Sequence, residues 1–306
     1  MKQFLGIDVG GTNVKFGLVD SKGSLIEKTK FKTAELTATG DFLTAFGDAL
    51  EEQLERHKNV KDVGIGIPGL LSKDRKSTVK LQNIPSLDGV SLHEYLNNRF
   101  KNQHFHLEND ANAALIGEYY FSETPLPENV LMITLGTGVG GAAIIDGKIF
   151  KGGEGNGMEI GHIMATHKKT VEQLVGKKGL VKQTQKLLKK KSGDSILREK
   201  KHISAKDVEK AAFEGDPIAI KAYKKLGKTL GSCIISSMRI LDVNTIILGG
   251  GVADTYTFFS KPMYKQINKF IGPYYTDHLN IRMASLANEA GIVGAAALCF
   301  LDKEKD

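Results

Sequence analysis

Residues suited to phosphate chemistry gather at a few points of this 306-residue chain. Asp8 ends an apolar run and is followed directly by Gly10-Gly11-Thr12, after which Val14, Phe16 and Leu18 alternate as in a second strand. Paired glycines permit positive φ and carry no side chain, so a polyanion can approach backbone N–H groups closely. A carboxylate beside amides meant for anions makes sense when a divalent cation stands between it and a phosphate, the usual arrangement for Mg2+. An ordinary hairpin whose glycines only make the turn fits the same residues. The layout recurs from Leu131 to Gly147, with Gly136-Thr137-Gly138 in the place of the first turn. Two phosphate-type hairpins imply a duplicated domain closing on one nucleotide from both sides.

A second kind of chemistry is offered by Glu108-Asn109-Asp110-Ala111-Asn112, where a short strand gives way to a helix. Asn109 or Asp110 can cap that helix. A carboxylate there can also take a hydroxyl proton while its Asn neighbour fixes a sugar, and the junction suits a hinge. Gly69 follows the strand Val63–Ile67, at the carboxyl end where open α/β sheets place ligands. Asn83 is read as a turn former. Gly249-Gly250-Gly251 ends a further strand, and three glycines before a helix permit a flat ligand to come close.

The elements that must hold these residues alternate. A strand near Val63 after a helix over Asp41–His57, with Asp41 as N-cap, argues a parallel crossover and an α/β fold. Residues 177 to 240 read as mostly helical, with Ser204 capping one helix and Asp216-Pro217 opening another. A strand at Asn244–Leu248, one at Ile281–Ala284 and an apolar helix over Ala290–Leu301 complete the pattern. The length suits roughly two domains of ~150 residues. No apolar run nears the ~20 residues a bilayer crossing needs, and Met1-Lys2-Gln3 leads straight into a strand, so neither a signal peptide nor a membrane partner is expected. Cys233 and Cys299 lie far apart within apolar helical patterns, which fits buried thiols and a cytoplasmic location better than a disulfide. The net charge of +7 comes from scattered lysines and from the run Lys186 to Lys191, a solvated helix face without the interleaved aromatics of a nucleic-acid site.

Six stretches in order, namely Asp8–Thr12, Ile67–Gly69, Glu108–Asn112, Gly136–Gly141, Glu159–His162 and Leu248–Val252, together resemble the ROK family of sugar kinases and repressors, within the actin-like ATPase superfamily. The resemblance implies an α/β, two-domain actin-like ATPase (ribonuclease H-like) fold, duplicated, with an interdomain cleft. The smaller domain would comprise residues 1–112 with 290–306, and the larger 113–289. It implies an ATP-dependent hexose kinase that phosphorylates the 6-hydroxyl of glucose or a related hexose, glucokinase-like, with Asp110 as base. Gly10, Gly11 and Thr12, with Gly136, Thr137 and Gly138, would hold the phosphates, Gly249, Gly250 and Gly251 the adenosine, and Asp8 the Mg2+, through water. Lys15 could add a positive charge or simply face solvent. The sugar would meet Gly69, Asn109, Asp110, Glu159, His162 and Glu172.

One stretch departs from the family pattern. Many members carry a cysteine-rich zinc segment after the Gly-His pair, whereas Thr166–Leu174 has no cysteine, so no structural zinc is expected and the course of residues 163–175 is open. Lys151–Gly157 reads as a flexible glycine-rich loop. Polyphosphate as donor, N-acetylmannosamine, N-acetylglucosamine or fructose as acceptor, and a non-catalytic sugar-responsive regulator are the alternatives. Dimers are common in the family, so a homodimer is the expectation.

Overall fold

A computed structural model describes residues 2–190 and 193–301; Met1, Lys191 of the lysine run and residues 302–306 of the expected smaller domain lie outside the described residues. The opening hairpin pairs β1 (Gln3–Val9) with β2 (Asn13–Asp20), in the register Asp8↔Lys15 and Val9↔Val14. Strand β3 (Leu25–Lys32) continues the meander, and helices α1 (Thr33–Ala38) and α2 (Phe42–Arg56) lead to β4 (Asp62–Ile67). Asp41 caps α2, its Oδ1 accepting from Thr44 N at 3.1 Å. The small hairpin β5 (Leu70–Leu71) and β6 (Thr78–Lys80) precedes α3 (Leu92–Arg99), β7 (His104–Asn109) and α4 (Asp110–Phe121). The first sheet has the order β3-β2-β1-β4-β7, with β1, β4 and β7 parallel.

Strands β8 (Val130–Leu135), β9 (Val139–Ile145) and β10 (Lys148–Ile149) repeat the opening meander. The hairpin β11 (Met164–Thr166) and β12 (Lys169–Thr170) follows, then α5 (Glu172–Val175), α6 (Lys177–Lys190), α7 (Ala205–Phe213), α8 (Pro217–Leu241), β13 (Thr245–Gly249), α9 (Tyr256–Phe270), α10 (Pro273–Thr276), β14 (Asn280–Met283) and α11 (Ala290–Leu301). The second sheet, β10-β9-β8-β13-β14, has the same plan as the first: a meander on one side and parallel strands on the other. Ser204 and Asp207 form a capping box on α7, and Asp216 caps α8 ahead of Pro217. Cys233 and Cys299 are buried and neither forms a disulfide, and burial pushes the Cys233 thiol up to about 11. Among the described residues no helix is long and apolar enough to cross a membrane.

The chain forms two compact units, one of residues 1–128, 142–158 and 284–306 and one of residues 129–141 and 159–283. In the first, the central strand β4 is fully buried and β1 is buried except at Gln3 and Asp8, as expected of parallel strands covered on both faces. One cover is α11, which lies against the sheet backbone to backbone. A Cβ on Gly64 of β4 would stand 1.7 Å from Ala295 O, and one on Gly294 of α11 would stand 1.8 Å from Ala113 O of α4. In the second unit, α8 buries Tyr223, Leu226, Leu230, Ile234 and Met238 at helical spacing.

Candidate active site

In the first unit, three parallel strands bring their carboxyl ends into line. The register places Asp8 beside Gly66, Gly66 beside Glu108, and Ile67 beside Asn109. Asp8 and the start of α4 are therefore two strand spacings apart, roughly 10 Å. Asn109 is the N-cap of α4, its Oδ1 accepting from Ala111 N at 2.9 Å and Asn112 N at 3.3 Å. Its Nδ2 donates to Gly69 O at 3.2 Å, so two residues expected to meet a sugar are already joined. Asp110 occupies the first turn of α4, where Ala111 N–H holds its Oδ1 at 2.9 Å. Gly69 has φ +92°, which a side chain would strain.

The first glycine turn closes with Gly10 N–H donating to Asn13 O at 2.9 Å. Neither glycine uses positive φ; what they supply is room. A Cβ on Gly10 would lie 2.8 Å from Asn13 O, and one on Gly11 would lie 2.6 Å from the amide nitrogen of Asn83. Thr33 opens α1 and ties the turn back through its carbonyls: its hydroxyl donates to Gly10 O at 2.6 Å and its N–H to Thr12 O at 3.0 Å. The N–H groups of Gly11 and Thr12 have no protein acceptor among the described residues. Lys15 reaches from β2 to place Nζ 2.8 Å from Asp8 Oδ2, so this partly exposed lysine is engaged with the carboxylate at the strand end. Behind Asp8, a Cβ on Gly291 at the start of α11 would lie 2.8 Å from its Cγ.

Among the described residues no three His, Cys, Asp or Glu side chains converge as a metal cage. A single half-buried carboxylate at a phosphate turn still suits Mg2+, which keeps several waters and takes its remaining ligands from substrate phosphates.

In the second unit, Gly136 N–H donates to Gly138 O at 2.9 Å and Lys177 N–H donates to Gly136 O at 3.1 Å. Glu172, the first residue of α5, leans on this turn: Val139 N–H donates to its Oε2 at 3.1 Å, and a Cβ on Gly138 would stand 2.4 Å from that oxygen. The register Thr134↔Gly249 sets the triple glycine beside it. Gly250 has φ +82°, a Cβ there would meet Leu135 O at 2.7 Å, and Val252 N–H donates to that same carbonyl at 2.9 Å. The Glu159–His162 stretch crosses the start of β9, where a Cβ on Gly161 would come within 2.1 Å of Val139 O. His162 Nε2 lies 3.7 Å from Glu159 Oε2. Burial raises the Glu159 carboxyl above its ordinary value and the Glu172 charge adds to this, while His162 opposes it. Residues 164–170, whose course the sequence left open, form the β11–β12 hairpin.

The predicted residues thus fall into two groups. The first unit gathers Asp8, Gly10–Thr12, Gly69, Asn109 and Asp110, and the second gathers Gly136–Gly138, Glu159, His162, Glu172 and Gly249–Gly251. Sequence reasoning missed Thr33, the packing of Asn83 on Gly11, and Gly291, which act through contacts far apart in the chain.

A family model described as the ROK family matches residues 4–301. The chain belongs to the ROK family. This ROK chain is 30% identical over 312 residues to the glucokinase of Halalkalibacterium halodurans, covering 96% of this chain and 94% of the relative. It is similar in structure to a protein from Cytophaga hutchinsonii, with TM-score 0.88 and 38% identity over 97% of this chain and 99% of that one. The structure of a ROK family glucokinase from Streptomyces griseus in complex with glucose and AMPPNP matches at TM-score 0.84 and 30% identity, over 98% of this chain and 99% of that one. The fold is the duplicated α/β fold of the actin-like ATPases.

Proposed function

We propose that this ROK chain is a phosphotransferase with an alcohol acceptor, an ATP-dependent hexose kinase that moves the γ-phosphoryl group to the 6-hydroxyl of glucose or a related hexose. The observation that carries the reading is the position of Asp110: the first turn of a helix, at the same sheet end as Asp8 and the Gly10–Thr12 turn. Phosphoryl transfer asks mainly for alignment and charge neutralisation. Asp110 accepts the hydroxyl proton as that oxygen forms its bond to the γ-phosphorus and the bond to the ADP oxygen breaks. The first turn of α4 orients the carboxylate, Ala111 N–H donating to its Oδ1. Gly69 and Asn109 hold the acceptor beside Asp110, while Glu159, His162 and Glu172 read its remaining hydroxyls. A carboxylate can accept from two vicinal hydroxyls and an imidazole can select one.

Gly10–Thr12 and Gly136–Gly138 bind the phosphates through backbone N–H groups. Mg2+ held at Asp8, when bound, neutralises phosphate charge and fixes the orientation of the chain of phosphates. Lys15 holds the Asp8 carboxylate in place through its ion pair at 2.8 Å. The Gly249–Gly251 turn beside the second phosphate turn favours a nucleoside triphosphate over polyphosphate, because Gly250 lets the chain close on Leu135 while Gly251, with nothing nearer a Cβ than Lys177 Nζ at 3.6 Å, leaves space for a flat base. A cytoplasmic homodimer belongs to the same proposal, on the family resemblance.

The test is a coupled assay over a panel of hexoses and N-acetylhexosamines with ATP and with polyphosphate, on the wild type and Asp110→Asn. Glucose with ATP should give the highest kcat/KM. Asp110→Asn should keep glucose affinity and lose turnover by about 10²- to 10⁴-fold. Near-normal turnover in that variant removes the base assignment, and turnover only with polyphosphate removes the donor.

A further inference from the structure

A cavity of about 780 Å³ opens within the first unit, along the edge strand β7 and against α4 and the β10 turn. Five cationic side chains and two carboxylates line it. One carboxylate, Glu108, is buried at 2% exposure and is matched within the wall: Arg75 Nε donates to its Oε1 at 2.8 Å, and Lys151 Nζ lies 2.8 Å from its Oε2. Arg75 is further committed to the carbonyls of Ser72 and Gly155, so it is part of the frame. The other carboxylate, Asp74, accepts from the Ser72 hydroxyl at 2.6 Å and from Lys76 N–H at 3.1 Å.

That leaves Lys73, Lys76 and Lys148, none of which has a carboxylate at ion-pair distance among the described residues. Elsewhere in the same unit Lys2, Lys15, Lys28, Lys32, Lys80 and Arg99 each hold a carboxylate at 2.5–2.9 Å, and the remaining lysines, such as Lys22, Lys58 and Lys61, are scattered and line no cavity with these three. Asp74 offsets part of the Lys76 charge, but five cationic side chains against two carboxylates leave the lining net positive. Like charges around a concavity repel one another, and low-dielectric walls focus their field on the space between. An anion placed there relieves the repulsion. The rest of the wall includes Phe105, Ile116 and Tyr119, a surface for a carbon framework and not for an ion alone. The volume lies in the range of small-molecule sites.

We infer that this cavity is a second binding site, separate from the residues assigned above, for a small phosphorylated organic compound. The phosphate is held by Lys76, Lys148 and Lys73, and the carbon framework rests on Tyr119 and Phe105. The site does not depend on the kinase reading, because its binding can be measured without turnover.

The test is calorimetric titration of the full chain with glucose 6-phosphate and, separately, inorganic phosphate, both in saturating glucose and AMPPNP so that the assigned substrate sites are filled. Glucose 6-phosphate should give a saturable heat, with inorganic phosphate weaker. The double variant Lys76→Glu/Lys148→Glu should weaken glucose 6-phosphate binding by at least about tenfold, two charge-assisted contacts being removed. Its urea midpoint should stay at the wild-type value, which excludes misfolding. Absence of saturable binding, equal affinity for inorganic phosphate, or unchanged binding in the folded double variant overturns the inference.

Discussion

The two glycine turns look alike in sequence and are braced in opposite ways. The Gly10–Thr12 turn is held from behind through its carbonyls, which Thr33 takes with its hydroxyl and N–H. Its strand ends in a charged residue with a lysine partner. The Gly136–Gly138 turn has Thr134 where the first has Asp8, and its nearest acid, Glu172, comes from a separate helix and consumes the N–H of Val139. The repeated backbone device carries a divided charge: one turn has a lysine-paired carboxylate at its strand end, as the proposed metal-bound phosphate requires, the other only neutral amides and a carboxylate that also bears on Glu159.

That division can be broken first at the strand ends. Asp8→Asn should lower turnover by about 10²- to 10³-fold, the usual cost of losing one charge-stabilising group. Thr134→Val, at the matching position, should change turnover by no more than about threefold, as for side chains outside the chemistry. Steady-state kinetics with ATP and Mg2+ measures both, and equal losses would mean that the two turns share the charge.

The next contrast is steric. A Cβ on Gly10 meets the Asn13 carbonyl at 2.8 Å, whereas on Gly136 the nearest atom is 4.0 Å away. Gly10→Ala should cost about 1–3 kcal/mol in urea unfolding, the range for forced overpacking. Gly136→Ala should be neutral, within ~0.5 kcal/mol. Similar costs would show that the second turn is as crowded as the first.

The smallest effect concerns pH. Glu159 sits above its ordinary carboxyl range, chiefly through burial and in part through the negative charge of Glu172. Removing that charge favours ionised Glu159, so Glu172→Gln should move the acid limb of kcat/KM for the hexose to lower pH. An unmoved limb separates the two carboxylates.

Much of this was legible in the sequence because glycine turns, caps and strand ends are local. Asp41, Ser204 and Asp216 cap where their residue types and spacing say they should, and Asn109 caps α4 as one of the two readings allowed. What stayed hidden depends on partners distant in the chain. Arg75 has φ +59°, a conformation its sequence does not announce, and its guanidinium meets Glu108 from 33 residues away. The glycine-rich stretch after Lys151 reads as flexible, yet Asn156 fastens it to both backbone groups of Leu71, at 3.0 and 2.9 Å. The positive φ expected of Gly10 and Gly11 is absent because clearance, and not handedness, is what the turn asks of them.

The close seating of α11 reaches beyond packing. This helix lies directly on β4 and α4 and begins behind Asp8, so the scaffold of both proposed catalytic aspartates is closed by a segment far from either of them in the chain. A chain without this helix would keep every one of the reactive side chains and lose the surface against which β4, α4 and Asp8 are seated.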